Sequence, residues 1–354
     1  MSQSHLPVVS IILPVFNEQA LLRNNVTEIA TYLDTLSDQY CFEILIVNDG
    51  SADNTGAIAD ELSKEMTAVR VLHHPTNFGV GQALKFGFAN TRGDYVVTMD
   101  VDLSYDVQHI EQLVNTMRET HAKIVLASPY MEGGTIANVP TLRRVLSVLG
   151  NRFLKFFNHG NISTITSMVR VYDGPFVRSI DFRSTGLDLM PETLYKSMIV
   201  RAKIVEMPAR LDWGPQLEFG DNRTSSMRLV KHVLSTITSG FLLRPMFFFV
   251  IPGVLIGLFA LYANFLMFGH FFDALANIRA LEENAPLGRA LKVAYAQAPH
   301  AFVFALLSTM LSIQLLGLGS LSLQNKRNYE DLYYQNATKL HALKESLDKN
   351  YNEK

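Results

Sequence analysis

The sequence predicts an α/β fold in which a doubly wound sheet is followed by a C-terminal hairpin of two transmembrane helices. Two observations lead to this prediction. In residues 8–130, short apolar segments alternate with segments of helical period, which is typical of a doubly wound sheet. Residues 245–268 and 301–323 contain no charged side chain, and each run is long enough to cross a hydrocarbon core of about 30 Å as a helix.

The predicted strands are short runs rich in Val, Ile and Leu, a composition that fits strands buried on both faces. In chain order they are VVSIILPVF, FEILIVND, VRVLHH, DYVVTMD and KIVLASP. Sheets of this kind bind ligands outside the carboxyl ends of their strands. We therefore expect functional residues among the polar side chains that directly follow these runs.

The two uncharged runs have an alternative interpretation as buried core helices. Runs of this length without a charge are rare in soluble domains, so the transmembrane interpretation is favoured. Basic residues lie on both flanks of the hairpin: Arg228, Lys231 and Arg244 before it, and Lys326 and Arg327 after it. By the positive-inside rule, both flanks are expected in the cytoplasm.

The expected organisation has four parts. Residues 1–220 form a cytosolic domain, 221–244 a juxtamembrane interfacial segment, 245–323 the hairpin, and 324–354 a cytosolic helical tail. In the tail, apolar side chains recur along one helical side, which would also suit an oligomer contact.

Composition argues against several other classes of protein. The formal net charge of −2 and the pI near 6.6 give no sign of a nucleic-acid-binding face. Cys41 is the only cysteine, so no intrachain disulfide can form. The N-terminal segment lacks the basic region and the apolar length of a secretory signal.

Two carboxylates, Asp100 and Asp102, follow the fourth apolar run in VVTMDVDLSYD, residues 96–106. Successive side chains on a strand point to opposite faces, so the backbone must leave the extended state if these acids act together. Crowded carboxylates raise each other's pKa unless a cation lies between them. Hard cations such as Mg²⁺ take oxygen ligands and share them with substrate phosphates, so the pair predicts a divalent-metal site.

Polar residues also mark the ends of the first two predicted strands. The first strand ends in Pro14, Phe16, Asn17 and Glu18, and the second in Asn48, Asp49, Gly50 and Ser51. Acid-bearing ends in one sheet are expected to converge on one crevice. Asp49 or Ser51 could instead cap the helix that follows the second strand. The sequence leaves both interpretations open.

Cationic side chains lie in two segments close to the hairpin. In residues 138–157, Arg144, Arg152 and Lys155 share one arc of a helix opposite an aromatic face. Such a helix either packs on the domain or lies in the membrane interface. Before the first span, cations and hydroxyls that suit a lipid phosphate, or a positive-inside anchor, occur at Arg223, Ser225, Ser226 and Arg228.

Four motifs occur in one order along the chain: ILPVFNE, IVNDGSADNT, NFGVGQAL and MDVDL. In order and spacing they resemble the family-two glycosyltransferases with the GT-A fold. The two spans and the RTSSMR segment before them narrow the resemblance to polyprenyl-phosphate glycosyltransferases, similar to dolichyl-phosphate mannose synthases. The motifs cover about residues 8–235 and the topology 236–323.

This resemblance implies a reaction. One sugar would pass with inversion from a UDP- or GDP-linked nucleotide-sugar to undecaprenyl or dolichyl phosphate, with Mg²⁺ or Mn²⁺ as cofactor. The acceptor phosphate is already largely anionic at neutral pH, because its second pKa is about 6, so it needs little help from a general base. The resemblance also implies an integral protein of the bacterial inner membrane with a cytosolic catalytic domain, and a homo-oligomer.

Roles for single residues on the donor side follow from the same resemblance. Contacts to the nucleoside would come from Pro14, Phe16 and Glu18, and the base would be read by Asp49, next to Gly50. Asp100 would hold the nucleotide-sugar, and Asp102, with Asp100 beside it, would ligate the metal.

On the acceptor side, the resemblance points to cations. Arg143 or Arg144 matches a basic position after the sugar pocket, and these arginines would offset repulsion between two phosphate-bearing substrates. The lipid phosphate would meet Arg144 together with Arg223, Ser225 and Ser226.

The chain departs from the family pattern at two places. The family usually continues its acid pair with Leu-Gln-His-Pro or Leu-Gln-Asp-Pro, whereas this chain has Leu103, Ser104, Tyr105 and Asp106. The family often has an Arg where this chain has Pro129. The departures concern details of the sugar and metal sites.

Two other functions are open from the sequence. A processive polysaccharide synthase would share the fold, but the only tryptophan, Trp213, lies in LDWGPQ rather than in a Gln-x-x-Arg-Trp motif, and only one hairpin is predicted. A membrane-bound nucleotide-sugar-binding scaffold without turnover is the second alternative, and the altered sequence after Asp102 motivates it.

Overall fold

The computed structural model describes residues 6–139, 162–165, 167–214, 245–282 and 286–352. The chain divides into two compact units, and each is described by itself. The first consists of Met1–Ser239 together with Tyr333–Lys354, and the second of Gly240–Leu332.

The first unit alternates strands and helices along most of its length. Its strands are β1 (Val8–Val15), β2 (Cys41–Asn48), β3 (Val69–His73), β4 (Tyr95–Thr98), β5 (Ile124–Ser128), β6 (Thr135–Ala137), β7 (Arg170–Asp173), β8 (Ile204–Pro208) and β9 (Arg210–Asp212). Its helices include α1 (Leu22–Asp34), α2 (Thr55–Glu65), α3 (Val80–Asn90), α4 (Gln108–Thr120), α5 (Gly174–Ser179) and α6 (Leu189–Ile199). The predicted strands correspond to β1 to β5.

The main sheet has the strand order β3-β2-β1-β4-β7-β5-β8. The pairs β1–β2, β1–β4, β2–β3 and β5–β8 are parallel, while β7 runs antiparallel to both β4 and β5. Strands β6 and β9 form a small parallel sheet of their own. The predicted doubly wound α/β sheet is confirmed, with one reversed strand that the sequence pattern did not indicate.

Helices cover both faces of the sheet, as the apolar strands require. Along β1, Ile11 and Leu13 pack in the core on the side of α1, α2 and α4, while Ile12 packs on the side of α3, α5 and α6. Each helix contributes a stripe at helical spacing; α1 buries Leu22, Val26, Ile29 and Leu33. Burial on both faces leaves the strand ends as the places where polar side chains gather.

The second unit is helical. A π-helical turn (Met246–Val250) leads into α7 (Ile251–Arg279), followed by α8 (Leu287–Gln297) and the start of α9 (Pro299–Asn352). The apolar run at 301–323 and the tail after it therefore belong to one helix, which runs as far as Asn352.

Two segments of these helices are long and apolar enough to span a membrane. They are Met246–Arg279, with a mean hydropathy of 2.3, and Pro299–Asn336, with a mean hydropathy of 2.0. Only 17% of the most apolar window of each is buried. Core helices of a soluble protein would be mostly buried, so these segments fit a membrane hairpin better.

Candidate active site

The chain turns sharply at the carboxyl ends of three neighbouring parallel strands. Because β2, β1 and β4 are adjacent and parallel, their ends lie along one edge of the sheet. In the loop that follows each of these strands, one residue has a positive φ: 57° at Asn17, 66° at Gly50 and 52° at Leu103. A left-handed conformation at Leu103 is uncommon for a side chain of that size and occurs often at functional turns.

The turn after β4 carries the predicted acid pair. The carboxylate of Asp102 accepts a hydrogen bond from the backbone N–H of Ser104 at 3.0 Å, which closes the turn at Leu103. From α1, the side-chain amide of Asn25 donates to the carbonyl of Val101 at 2.7 Å. The backbone thus leaves the extended state at this point, as two cooperating carboxylates require.

The electrostatics of this turn centre on Asp100, which is half-buried. Burial raises the pKa of Asp100 well above its ordinary range, and the charges of Asp102 and Glu18 raise it further. The charge of Glu18, after β1, therefore acts on Asp100, after β4. A cation beside them would relieve both the desolvation and the repulsion.

The donor set at this turn suits a hard cation. Among the residues that the structure describes, no group of three His, Cys, Asp or Glu side chains stands ready to hold a metal. Mg²⁺ is commonly held by one or two carboxylates together with substrate phosphates and water. Asp100 and Asp102 thus fit a divalent cation that arrives with a phosphate-bearing substrate.

The exits of β1 and β2 are held together by hydrogen bonds. The backbone N–H of Asn17 donates to the hydroxyl of Ser51 at 3.0 Å, and the side chain of Asn17 accepts from the N–H of Ala52 at 2.9 Å. The N–H of Glu18 donates to the hydroxyl of Thr55 at 2.7 Å. Ser51 thus braces the β1 exit, and the N-cap position of α2 is Asn54, with no capping hydrogen bond from a side chain. The interpretation of Ser51 as a cap of α2 is therefore wrong.

Asp49, directly after β2, is also not a helix cap. It is 3% exposed, and its Oδ1 accepts from the N–H of Phe78 at 3.0 Å, while Oδ2 accepts from the N–H of Gly79 at 2.8 Å. The ring Nδ1 of His74 lies 2.7 Å from Oδ1. His74 is not among the residues that the motifs indicate. Its position directly after β3, the next parallel strand, is the signal that could have identified it.

Two aromatic rings are exposed near these strand ends. Among residues 6–139, 162–165 and 167–214, only four large apolar side chains are exposed: Leu6, Phe16, Phe78 and Leu187. Phe16, at 40% exposure, follows β1, and Phe78, at 49%, is the residue whose N–H binds Asp49. Exposed rings beside buried polar groups are suited to stacking on a planar ligand.

The departures from the family pattern occupy defined positions. Tyr105 is buried, its hydroxyl lies 3.4 Å from that of Ser167, and its ring meets the edge of His109. The carbonyl of Ser104 accepts from the N–H of Asp212 at 2.9 Å. Tyr105 and Ser104 therefore anchor the acidic turn to α4, to β9 and to the segment before β7. Pro129 is buried directly after β5.

The predicted acceptor residues cannot be placed. Those in the 140–161 and 215–244 segments lie outside the residues that the structure describes: Arg143, Arg144, Arg223, Ser225 and Ser226.

Comparison with known proteins identifies the family to which this chain is similar. The model of the Glycosyl transferase family 2 matches residues 10–176. The undecaprenyl-phosphate mannosyltransferase of Micrococcus luteus is 31% identical over 189 residues, 52% of this chain and 76% of that protein. Glycosyltransferase AglD of Haloferax volcanii is 27% identical over 222 residues, 62% of this chain but 35% of that protein, so the chain spans about a third of AglD's length.

Among solved structures, the mannosyl-3-phosphoglycerate synthase of Rubrobacter xylanophilus aligns with a TM-score of 0.50 and 18% identity, covering 66% of this chain and 72% of that one. At this identity the likeness concerns the fold alone. It agrees with the GT-A architecture that the motifs indicate. The family match and the Micrococcus relative show that the chain belongs to glycosyl transferase family 2 and is a glycosyltransferase, and the Rubrobacter structure supports its GT-A-like fold.

Proposed function

We propose that this protein transfers a single sugar, with inversion, from a UDP- or GDP-linked nucleotide-sugar to a polyprenyl phosphate such as undecaprenyl phosphate. The observation that carries the proposal is the turn after β4, which holds Asp100 and Asp102 and where burial and the charges of Asp102 and Glu18 favour a bound cation. The Micrococcus relative, an undecaprenyl-phosphate mannosyltransferase, is named for an acceptor of the same class.

The nucleotide part of the donor would lie over the exits of β1 and β2. In this proposal Pro14, Phe16 and Glu18 contact the nucleoside, and Asp49 accepts a hydrogen bond from the base. Gly50 leaves room for the close approach of the 76–77 backbone, because a Cβ at this position would lie 2.3 Å from the carbonyl carbon of Thr76. The exposed ring of Phe16 supports a stacking role.

The diphosphate and the sugar would lie over the exit of β4. Asp102, with Asp100 beside it, would hold Mg²⁺ or Mn²⁺ against the diphosphate. The metal would supply charge neutralisation on the departing nucleoside diphosphate. The chain's own part is to keep both carboxylates in one turn, which the Asp102 to Ser104 hydrogen bond and the Asn25 to Val101 hydrogen bond do.

The acceptor phosphate would attack the anomeric carbon from the face opposite the leaving group. A phosphate monoester is mostly dianionic at neutral pH, because its second pKa is about 6, so the nucleophile needs no histidine base. The cations proposed to offset repulsion between acceptor and donor are Arg143, Arg144 and Arg223, and Ser225 and Ser226 would add hydroxyl donors to the lipid phosphate.

The apolar hairpin would hold the enzyme in the bacterial inner membrane, with the α/β unit in the cytosol. Cys41 is the only cysteine and is exposed, so the native chain carries its own reporter of orientation. A membrane-impermeant maleimide should label Cys41 in lysed cells and not in intact spheroplasts. Equal labelling in both would place the α/β unit on the outside and overturn the orientation.

The test of the reaction is transfer from a panel of radiolabelled UDP- and GDP-sugars to polyprenyl phosphate by the purified full chain. The reaction is run with Mg²⁺ or Mn²⁺ and with EDTA, and label is counted in the organic phase. Metal-dependent label from one donor is expected. Label in a water-soluble polymer would favour a processive synthase, and donor binding without any product would favour a scaffold.

A further inference from the structure

His74 stands at the centre of a buried contact between the β2 and β3 exits. Its ring stacks on Phe86 with a centroid distance of 5.1 Å and meets the edge of Phe78 at 5.2 Å. The His74 side chain is 8% exposed and that of Asp49 is 4% exposed. Both the position and the plane of the imidazole are therefore fixed by packing.

The hydrogen bond between His74 and Asp49 has a defined direction. A carboxylate can only accept, so Nδ1 of His74 carries the proton and donates to Oδ1 of Asp49 at 2.7 Å. The backbone N–H groups of Phe78 and Gly79 donate to the same carboxylate. These donors approach from three different residues, so they fix the carboxylate in rotation as well as in place.

Asp49 retains acceptor capacity after these bonds are made. A carboxylate has about four lone-pair sites. In the part of the chain that the structure describes, His74 and Phe78 occupy Oδ1, and Gly79 alone donates to Oδ2. One lone-pair site on Oδ2 therefore has no donor among the described residues, and the imide or amide N–H of a nucleobase has the chemistry to fill it.

We infer that His74 is a positioning residue that orients Asp49 for recognition of the donor's nucleobase, an inference that rests on the function proposed above. His74 makes no contact with the donor in this arrangement. It acts through Asp49, so its loss should weaken the base contact and spare the diphosphate contact. The hydrogen bond and not merely the packing carries the role.

Three variants separate these contributions. His74→Leu removes the N–H group that donates to Asp49 and keeps an apolar side chain against Phe86. His74→Asn restores an N–H at the same point along the side chain as Nδ1. His73→Leu is the matched control, because the ring of His73 bonds with Asn48 and Asp60 and has no bond to Asp49.

The experiment measures the binding of UDP, GDP and inorganic pyrophosphate to the full chain by calorimetry with Mg²⁺, together with the melting temperature of each variant and its kcat and KM for the donor. Removing one hydrogen bond to a charged group should weaken binding of the preferred nucleoside diphosphate by about tenfold in His74→Leu. Pyrophosphate, which has no base, should bind as in the wild type. His74→Asn should recover most of the lost affinity, and KM should change more than kcat.

Several outcomes would overturn the inference. An unchanged affinity in His74→Leu, an equal loss for pyrophosphate, no recovery in His74→Asn, or an equal loss in His73→Leu would each assign the effect to general packing. A wild-type chain that binds neither UDP nor GDP would overturn the proposed function and this inference with it. Normal wild-type binding with an unaffected His74→Leu would overturn this inference alone.

Discussion

Glu18 and Asp100 are 82 positions apart in the chain, yet the charge of Glu18 helps to raise the pKa of Asp100. The larger cause is burial, and the charge of Asp102 adds to it. The folded chain thus holds Asp100 partly buried and within reach of two other negative charges, at a cost in stability. Such a cost is expected where a site is built for a cation that the folded protein binds and the unfolded chain does not.

The first prediction is that Asp100→Asn stabilises the metal-free protein. The neutral amide removes the half-buried and crowded charge, so the free energy of unfolding at pH 7.5 should rise by about 1 kcal/mol. The melting temperature of the detergent-purified full chain checks this. Mg²⁺ should raise the melting temperature of the wild type and raise that of Asp100→Asn much less.

The sign of the pH dependence follows from the raised pKa of Asp100. The native state binds this proton more readily than the unfolded chain, so the wild type gains stability as the pH falls through the raised folded value. The difference in melting temperature between Asp100→Asn and the wild type should therefore become smaller as the pH is lowered. A difference that becomes larger would contradict this account of the turn.

The second prediction concerns Asp102. Asp102→Ala should lower transfer by at least about 100-fold, because the charge that builds on the leaving diphosphate would lose its stabilisation. Sugar transfer and melting temperature are measured side by side. Glu119→Gln, an exposed change at the far end of α4, is the control and should transfer normally. Normal, EDTA-sensitive transfer by Asp102→Ala would exclude Asp102 as the metal ligand.

The third prediction concerns the exposed ring of Phe78. If it stacks on the base, Phe78→Ala should weaken nucleoside diphosphate binding by about tenfold, since base–aromatic stacking contributes roughly 1–3 kcal/mol. Phe78→Tyr should bind normally. Leu6→Ala, which truncates another exposed apolar side chain before β1, serves as the control. Loss of affinity in the Tyr variant as well would argue against stacking.

The strands and the acid pair could be predicted because their signals are local. The apolar runs that became β1 to β5 are bounded by polar residues, and parallel strands necessarily share a carboxyl edge. The sequence of β7, RVYD, is too short to indicate in which direction the strand runs, so its antiparallel pairing with β4 and β5 could not be predicted.

The partners of Asp49 illustrate a different limit. Two of its three donors are backbone N–H groups, at Phe78 and Gly79. Every residue except proline has such a group, so the residue type does not show that it donates. Gly79 has a φ of 93°, and this glycine is the one local sign that the chain folds back there. The role of Ser51 was open for the same reason, because its donor is the backbone N–H of Asn17.

The fourth prediction concerns acid stability and Glu43 on β2. Burial alone would raise the pKa of Glu43, but hydrogen bonds from Ser10, the N–H of Arg92 and the side chain of Arg70 outweigh it and lower the pKa. A lowered folded pKa contributes stability above the unfolded value of about 4.3, and this stability is lost as the pH falls through the folded value.

Glu43→Gln should therefore lower the melting temperature at pH 7 and flatten its fall below about pH 4.3. The measurement is a series of thermal melts from pH 7 to pH 3.5. Glu65→Gln is the control, because its ion pair with Arg23 is exposed and exposed pairs contribute little. If the melting temperature of Glu43→Gln fell as steeply with decreasing pH as that of the wild type, Glu43 would be excluded as a source of the acid sensitivity.

The last prediction concerns packing within the helical hairpin. The hydroxyl of Ser312 on α9 donates to the carbonyl of Gly253 on α7 at 2.8 Å, and the side chain of Asn264 donates to the hydroxyl of Thr309 at 2.8 Å. A Cβ at Gly257 would lie 2.9 Å from the hydroxyl oxygen of Ser312. The two helices are therefore in close contact where the glycines lie, and hydrogen bonds between them depend on that contact.

Gly257→Val should push α9 away from α7 and destabilise the hairpin by about 1–3 kcal/mol, the usual cost of overpacking. Gly269→Val is a matched control on the same helix, because a Cβ there would meet no atom within 4 Å. Both variants change helix propensity equally, so the difference between their melting temperatures in detergent isolates the contact. Only the side chain added at Gly257 would meet α9. Equal melting temperatures of the two variants would therefore mean that α7 and α9 do not pack through Gly257.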